Sequence, residues 1–259
     1  MATKTKTSKA HMALTFTIGL VFIALVVWFI VSLIGGIVNI FHAGNLYSEG
    51  VTAGDISAAS ALSDQLASVE PDSEAYFEIL LSNIVMQDMP AFKKIDDLDS
   101  QYLISYGLWQ TITLNNSQGI LSIGEDGQQY RVPKALVEKM ARYYMPFSKK
   151  LEHQEVILCG EFAYNRFNGT YTVPNSYPAN YLVPKVVAIK QNTEMALVEV
   201  TVDCYTTDGS MEDPAADEDN FRKRVVYTLA RTKNTETADI AVETEHYTVV
   251  SMMQADKEE

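Results

Sequence analysis

The stretch Ala196-Leu-Val-Glu-Val-Thr-Val-Asp-Cys-Tyr205 alternates between apolar and polar side chains. A period of two is typical of a β-strand that has one buried and one solvated face. The side chains that we expect to face the core are Ala196, Val198, Val200, Val202 and Cys204. Those that we expect to face water are Glu199, Thr201, Asp203 and Tyr205. The alternation therefore predicts one strand of an antiparallel sheet.

Similar runs surround this stretch throughout the C-terminal half of the chain. The runs that we interpret as strands are 154–164, 170–174, 182–190, 194–206, 221–232 and 246–253. In the fifth run, Val225, Tyr227 and Leu229 are predicted to face the core. Arg222, Arg224 and Thr228 of the same run are predicted to be exposed. Consecutive strands of this kind are typical of an antiparallel meander.

Two helices, at 73–87 and 99–113, are predicted before the sheet because apolar residues recur there at helical spacing. A hairpin is predicted at 119–132, since Asp126-Gly127 is a strong turn signal between short strands.

A third helix is predicted at 133–145, with Pro133 at the first helical position, where its missing N–H has no helical partner. Its apolar stripe consists of Leu136, Val137, Met140, Ala141 and Tyr144. We expect the stripe to pack on the inner face of the sheet, opposite Val198, Val200 and Val202. Helices followed by an antiparallel sheet indicate an α+β fold.

The N-terminal part carries a long apolar run, because no Lys, Arg, Asp or Glu lies between Ala10 and Ser48. The run exceeds the roughly 20 residues that cross a bilayer, so residues 13–41 are predicted to be an uncleaved transmembrane signal-anchor. Lys4, Lys6 and Lys9 precede it, and positive charge stays cytoplasmic, which places the C-terminal part outside. A cleaved signal peptide and a buried core helix are the alternatives.

The predicted order of segments follows from this span. Residues 1–12 are a cytoplasmic basic tail, 13–41 the span that contacts the lipid bilayer, and 42–71 a linker. Residues 72–253 are the extracytoplasmic domain, and 254–259 a disordered acidic tail.

The outer part of the chain is strongly acidic. All 33 Asp and Glu residues and 17 of the 20 Lys and Arg residues follow the span, which leaves a net charge of about −16 there. Such a surface repels nucleic acid, so we predict no nucleic-acid partner.

The order of helices, hairpin, helix and meander resembles that of the NTF2-like cone, in which a curved sheet wraps a helical layer. Segments 73–87, 99–113, 119–132, 133–145 and the strands from 154 onward carry this resemblance. With its basic tail and single span, the layout is similar to the outer domains of conjugation-channel scaffold proteins of the VirB8 and TcpC type. The resemblance implies a membrane-anchored scaffold and transfers no functional residue.

A basic run, Phe221-Arg222-Lys223-Arg224, directly follows an acidic loop at 208–219. The run either pairs locally with the acids of the loop or forms a docking patch for an acidic partner. The loop lacks the ligand spacing of an EF-hand calcium loop, and the sequence predicts neither a metal nor a cofactor.

The two cysteines, Cys159 and Cys204, both lie in apolar runs typical of strands. They are either small buried apolar residues or partners in a disulfide, which an oxidising compartment permits. His153 stands between polar neighbours and is expected at the surface.

No hydrolase or metalloprotease motif of the G-x-S-x-G or H-E-x-x-H type occurs in the sequence. We therefore expect a non-enzymatic binding or scaffold module of a cell-envelope complex, which associates with other envelope proteins or with itself. The alternative is a cone with a small-ligand-binding or hydrolytic pocket. Convergence of titratable side chains in the deepest pocket would distinguish the two.

Overall fold

A computed structural model describes residues 62–118, 121, 129–174, 178–192, 195–209, 214–234 and 244–256. Within these ranges, no helix is long and apolar enough to cross a membrane. The predicted basic tail and the predicted span, 1–12 and 13–41, lie outside the described residues, as does the first strand of the predicted hairpin apart from Leu121.

Four helices and eight strands make up the described part of the chain. The helices are α1 Ser63–Ala67, α2 Glu74–Val85, α3 Ser100–Gln118 and α4 Lys134–Tyr144. The first four strands are β1 Gln129–Pro133, β2 Val156–Leu158, β3 Gly160–Asn165 and β4 Thr170–Pro174. The last four are β5 Tyr181–Asn192, β6 Leu197–Thr207, β7 Phe221–Asn234 and β8 Thr244–Ala255.

The strands form two four-stranded antiparallel sheets, in the orders β1-β4-β3-β2 and β5-β6-β7-β8. The second sheet is a meander whose three strand pairs each carry a register shift, near Val187, Cys204 and Thr228. Bulges of this kind bend strands and increase their twist. The chain therefore has the predicted α+β architecture, with a curved antiparallel sheet packed against helices.

Strand β6 confirms most of the predicted alternation. Val198, Val200, Val202 and Cys204 are all buried. Ala196 was predicted to face the core but is exposed, because it precedes the strand in a turn with a φ of 52°. The prediction of solvent exposure is wrong for Asp203 and Tyr205, which are buried. Asp203 is ion-paired with Arg224 on the neighbouring strand, and the Tyr205 ring packs edge-on against Phe221.

The stripe of α4 is buried as predicted, but its main neighbour is α3, with β1 and β8 as further contacts. The stripe therefore packs mainly on α3, and the prediction that it packs opposite Val198, Val200 and Val202 is wrong. Gly107 explains the close approach of the two helices, since a Cβ atom there would lie 2.2 Å from the Val137 carbonyl oxygen. Pro133 ends β1 and caps α4 instead of occupying its first turn.

The run 154–164 is two strands and not one. The chain reverses at Cys159, so that Leu158 pairs with Gly160 and Val156 with Phe162. Gly160 makes this possible with a φ of 114°, a conformation that a side chain disfavours. At the other end of the domain, Leu62 of the predicted linker is buried in the core.

Candidate functional site

A cleft of about 690 Å³ opens on the described surface and is here named the β2–β5 cleft. Its walls come from the end of α2, from β2, and from neighbouring ends of β5, β6 and β7. The lining residues are Met86, Gln87, Asp88, Tyr102, Ile157, Leu158, Cys159, Asn180, Tyr181, Leu182, Thr206, Arg222 and Lys223. A volume of this size lies within the range of about 300–1,000 Å³ that is typical of ligand sites.

The predicted basic patch is divided by the structure. Arg222 and Lys223 line the cleft, whereas Arg224 binds Asp203 and Phe221 packs on Tyr205. Only part of the patch is therefore available in the cleft.

The two cations of the cleft differ in their pairing. The Lys223 ammonium lies 2.6 Å from an Asp88 carboxylate oxygen and also donates to the Met89 carbonyl at 3.1 Å. The exposed Arg222 guanidinium donates to the Thr206 hydroxyl at 2.8 Å, and no carboxylate of the described residues pairs with it. Arg222 thus leaves one positive charge unmatched within the described part of the chain.

An apolar rim adjoins this charge. Ile157 is 65 % exposed, and its neighbour Leu158 is also exposed, although both belong to strand β2. Large apolar side chains exposed beside polar groups mark interaction sites more often than ordinary surface.

Gln87 contributes a buried acceptor next to the cleft. The residue is only 5 % exposed, and its amide nitrogen donates to the Asn83 carbonyl at 2.7 Å. Its Oε1 atom has no hydrogen-bond donor among the described residues. Most buried polar groups in native proteins are hydrogen-bonded, so an acceptor of this kind is unusual.

The thiol of the cleft is not an activated nucleophile. Desolvation raises the pKa of Cys159 to about 11, which keeps the thiol protonated at neutral pH. Desolvation likewise raises the pKa of the buried Cys204 to about 12. Both cysteines are free in the structure, and only Cys159 lines the cleft. The groups that converge here are suited to binding by charge, apolar contact and hydrogen bonds.

No family model, curated protein or solved structure matched the chain when it was compared with them. The function is therefore inferred from the geometry of the site. Among the described residues, no group of three or more His, Cys, Asp and Glu side chains is placed to hold a metal ion.

A buried histidine network lies outside the cleft. His153 Nδ1 is 2.9 Å from the Tyr171 hydroxyl, and Nε2 is 2.8 Å from a Glu138 carboxylate oxygen. The His153 side chain is 9 % exposed, so its expected surface position is wrong. Burial raises the pKa of Tyr171 well above its ordinary value, which disfavours its anion as a nucleophile. The network links α4, the segment before β2, and β4, and no local sequence signal could have identified it.

A second polar network closes the end of the sheet near the predicted linker. Asp72 accepts hydrogen bonds from Arg231 and from the Tyr247 hydroxyl, each at 2.6 Å. Desolvation, followed by the bond to Asp72, raises the pKa of Tyr247 to about 12. Arg231 and Tyr247 also line a smaller cavity of about 210 Å³. These contacts fix the start of the domain to β7 and β8.

Proposed function

We propose that this protein is a membrane-anchored binding module that faces away from the cytoplasm and docks another envelope protein in the β2–β5 cleft. The observation that carries the proposal is the juxtaposition of exposed Ile157 with the unmatched charge of Arg222. Exposed apolar side chains supply binding free energy, and a nearby charge supplies orientation and specificity.

The setting of this module is proposed from the sequence. Residues 13–41 anchor the chain, and Lys4, Lys6 and Lys9 orient it with the C-terminal domain outside. The curved sheet against a helical layer supports the proposal of an NTF2-like cone. An anchored cone of this kind suits a scaffold of a secretion or conjugation channel.

Photocrosslinking in the native membrane tests this function. A photoreactive amino acid at position 157 of the full chain should give a discrete adduct with another protein. The matched control is position 195, since Met195 is 63 % exposed but lies just beyond the far end of β5 and does not line the cleft. Adducts at neither position, at native expression, would contradict a docking role.

A small-ligand pocket is the second candidate, and the buried Gln87 acceptor favours it. Because Oε1 is fully buried, a ligand with an N–H group would satisfy it once the Gln87 side chain turns toward the cleft. Native mass spectrometry of the purified full chain separates the candidates. A stoichiometric small molecule that is lost on Gln87→Leu would support the pocket, and its absence supports the docking module.

A further inference from the structure

We infer that the occupant of the β2–β5 cleft is an extended segment of the partner protein, apolar and carrying one carboxylate, that adds as a strand to the edge of β2. The inference rests on the proposed docking function and names the chemistry of the partner. Four features of the cleft support it.

The first feature is the position of the strands. Among the described strands, β2 is the last of its sheet and pairs only with β3, and β5 is the first strand of the other sheet. Edge strands present backbone N–H and C=O groups that a further strand can pair with. On β5, α2 packs against the strand and its Glu78 carboxylate accepts the Val186 N–H at 3.0 Å, so a helix already occupies part of that strand. The edge of β2 is therefore the one that we assign to the partner.

The second feature is the composition of β2. Edge strands usually carry charges or prolines that prevent pairing with other chains. β2 consists of Val156, Ile157 and Leu158, of which only Val156 is buried. β2 is short, which limits pairing, but it carries neither a charge nor a proline, so its apolar edge suits an added strand with apolar side chains of its own.

The third feature is charge. Lys223 forms an ion pair with Asp88, whereas Arg222 has no acidic partner among the described residues. The cleft therefore offers one unpaired cation to an occupant. The outer part of the chain carries about −16 overall, which repels a strongly acidic partner. One carboxylate in an otherwise neutral or basic segment satisfies both conditions.

The fourth feature is Gln87, a lining residue whose Oε1 is fully buried and has no donor among the described residues, so that a turn of the side chain toward the cleft would present an acceptor to the occupant. A peptide backbone offers N–H donors at every second residue of a strand. An occupant of this class therefore fits the polar, charged and apolar groups together.

A displayed library of random dodecapeptides, selected on the full chain in lipid nanodiscs, provides the probe. We expect the enriched peptides to alternate apolar residues and to share one Asp or Glu. Ile157→Asp should weaken their binding by about tenfold or more, and the equally exposed Met195→Asp should leave it unchanged. Arg222→Gln should weaken the acidic peptide, but not its Glu→Gln or Asp→Asn counterpart.

Backbone N-methylation of an enriched peptide tests strand addition, because it removes the N–H donors and leaves the side chains. Loss of binding supports the inference. Enriched peptides without a carboxylate, insensitivity to N-methylation or to Ile157→Asp, or no enrichment at all would each overturn it. If position 157 still crosslinks to a protein in the membrane, the docking function stands while this inference falls. If that adduct is absent too, both fall.

Discussion

The Asp203 carboxylate accepts two hydrogen bonds from the Arg224 guanidinium, at 2.6 and 2.8 Å, while only 3 % exposed. A bidentate pair in such a setting is geometrically specific. Removing one partner of a buried pair is costly because the other charge stays buried without compensation.

We expect Arg224→Met to lower the free energy of unfolding by about 3 kcal/mol, since it leaves the Asp203 charge unpaired. Arg222→Met is the matched control, because Arg222 is exposed and has no acidic partner among the described residues; it should cost less than about 1 kcal/mol. Urea denaturation of the full chain, followed by circular dichroism, measures both. Equal small losses would show that the Asp203–Arg224 pair contributes little.

Asp96 predicts a specific pH dependence. Its carboxylate accepts bonds from the Ser148 hydroxyl and from the Lys149 and Ser148 backbone N–H groups, and these hold its pKa below the ordinary value. A depressed folded pKa contributes stability above the unfolded pKa, and this contribution is lost as the pH falls through the folded pKa. The Asp96→Asn variant should therefore have a lower Tm than the unsubstituted protein at pH 7 and the same Tm at about pH 2.

Thermal melts of the full chain at both pH values check this result. Asp97→Asn is the control at a neighbouring exposed carboxylate, and its effect on Tm should be small at either pH. A deficit of Asp96→Asn that persists unchanged in acid would contradict the assigned hydrogen bonds.

At the scale of elements, α3 and α4 form a helical layer with the close approach centred on Gly107 and Val137. α3 is buried from Leu103 to Asn115, so its packing is set by neighbours on every side. Close-packed interiors tolerate added volume poorly.

We expect Gly107→Ala to destabilise the domain by about 1–3 kcal/mol, because the new methyl group forces the two helices apart. The loss should exceed any gain from the better helix propensity of alanine, which is about 1 kcal/mol. Ala135→Ser, at an exposed position of α4, is the control and should change stability by less than about 0.5 kcal/mol. A neutral or stabilising Gly107→Ala would mean that the helices are not in close contact.

The sequence predicts those elements whose signal is local. The alternation of β6 and the stripe of α4 are visible because each face is defined by residues two to four positions apart. The reversal at Cys159 is not visible in the sequence, since the apolar run 156–159 leads into Gly160 without an Asn-Gly or Asp-Gly turn signal. The buried state of Asp203 also depends on Arg224, 21 residues away, and no local pattern encodes that pairing.

The candidate site likewise combines residues that have a local sequence signal with residues that have none. The charge of Arg222 and Lys223 predicts either local pairing with the acidic loop or a docking patch, and the structure has both residues line the cleft, with Lys223 paired to Asp88 outside the loop. Ile157 and Gln87 were not predicted as site residues, because they come from β2 and from the end of α2 and line the same cleft only in the folded chain. His153 was missed for the same reason, since Glu138 and Tyr171 lie 15 and 18 residues away from it.

At the scale of the whole molecule, the proposed anchored docking module rests on the apolar N-terminal run, the acidic charge of the chain that follows it and the β2–β5 cleft. The proposal locates the cleft on the outer side of the membrane and has a partner cover it. Two expectations follow from the proposal. The C-terminal domain lies outside the membrane, and the cleft is occupied in the native membrane.

Labelling of single cysteines with a membrane-impermeant maleimide tests both expectations at once. The background is Cys159→Ser, which removes the thiol in the cleft and retains the buried Cys204. Met195→Cys should label on intact cells or spheroplasts, because Met195 is exposed and the proposed topology puts it outside the membrane. Ile157→Cys should be protected there and should label as fast as Met195→Cys once the protein is purified. Labelling of Met195→Cys only after lysis, or equal labelling of both sites in the native membrane, would contradict an outward-facing docking module.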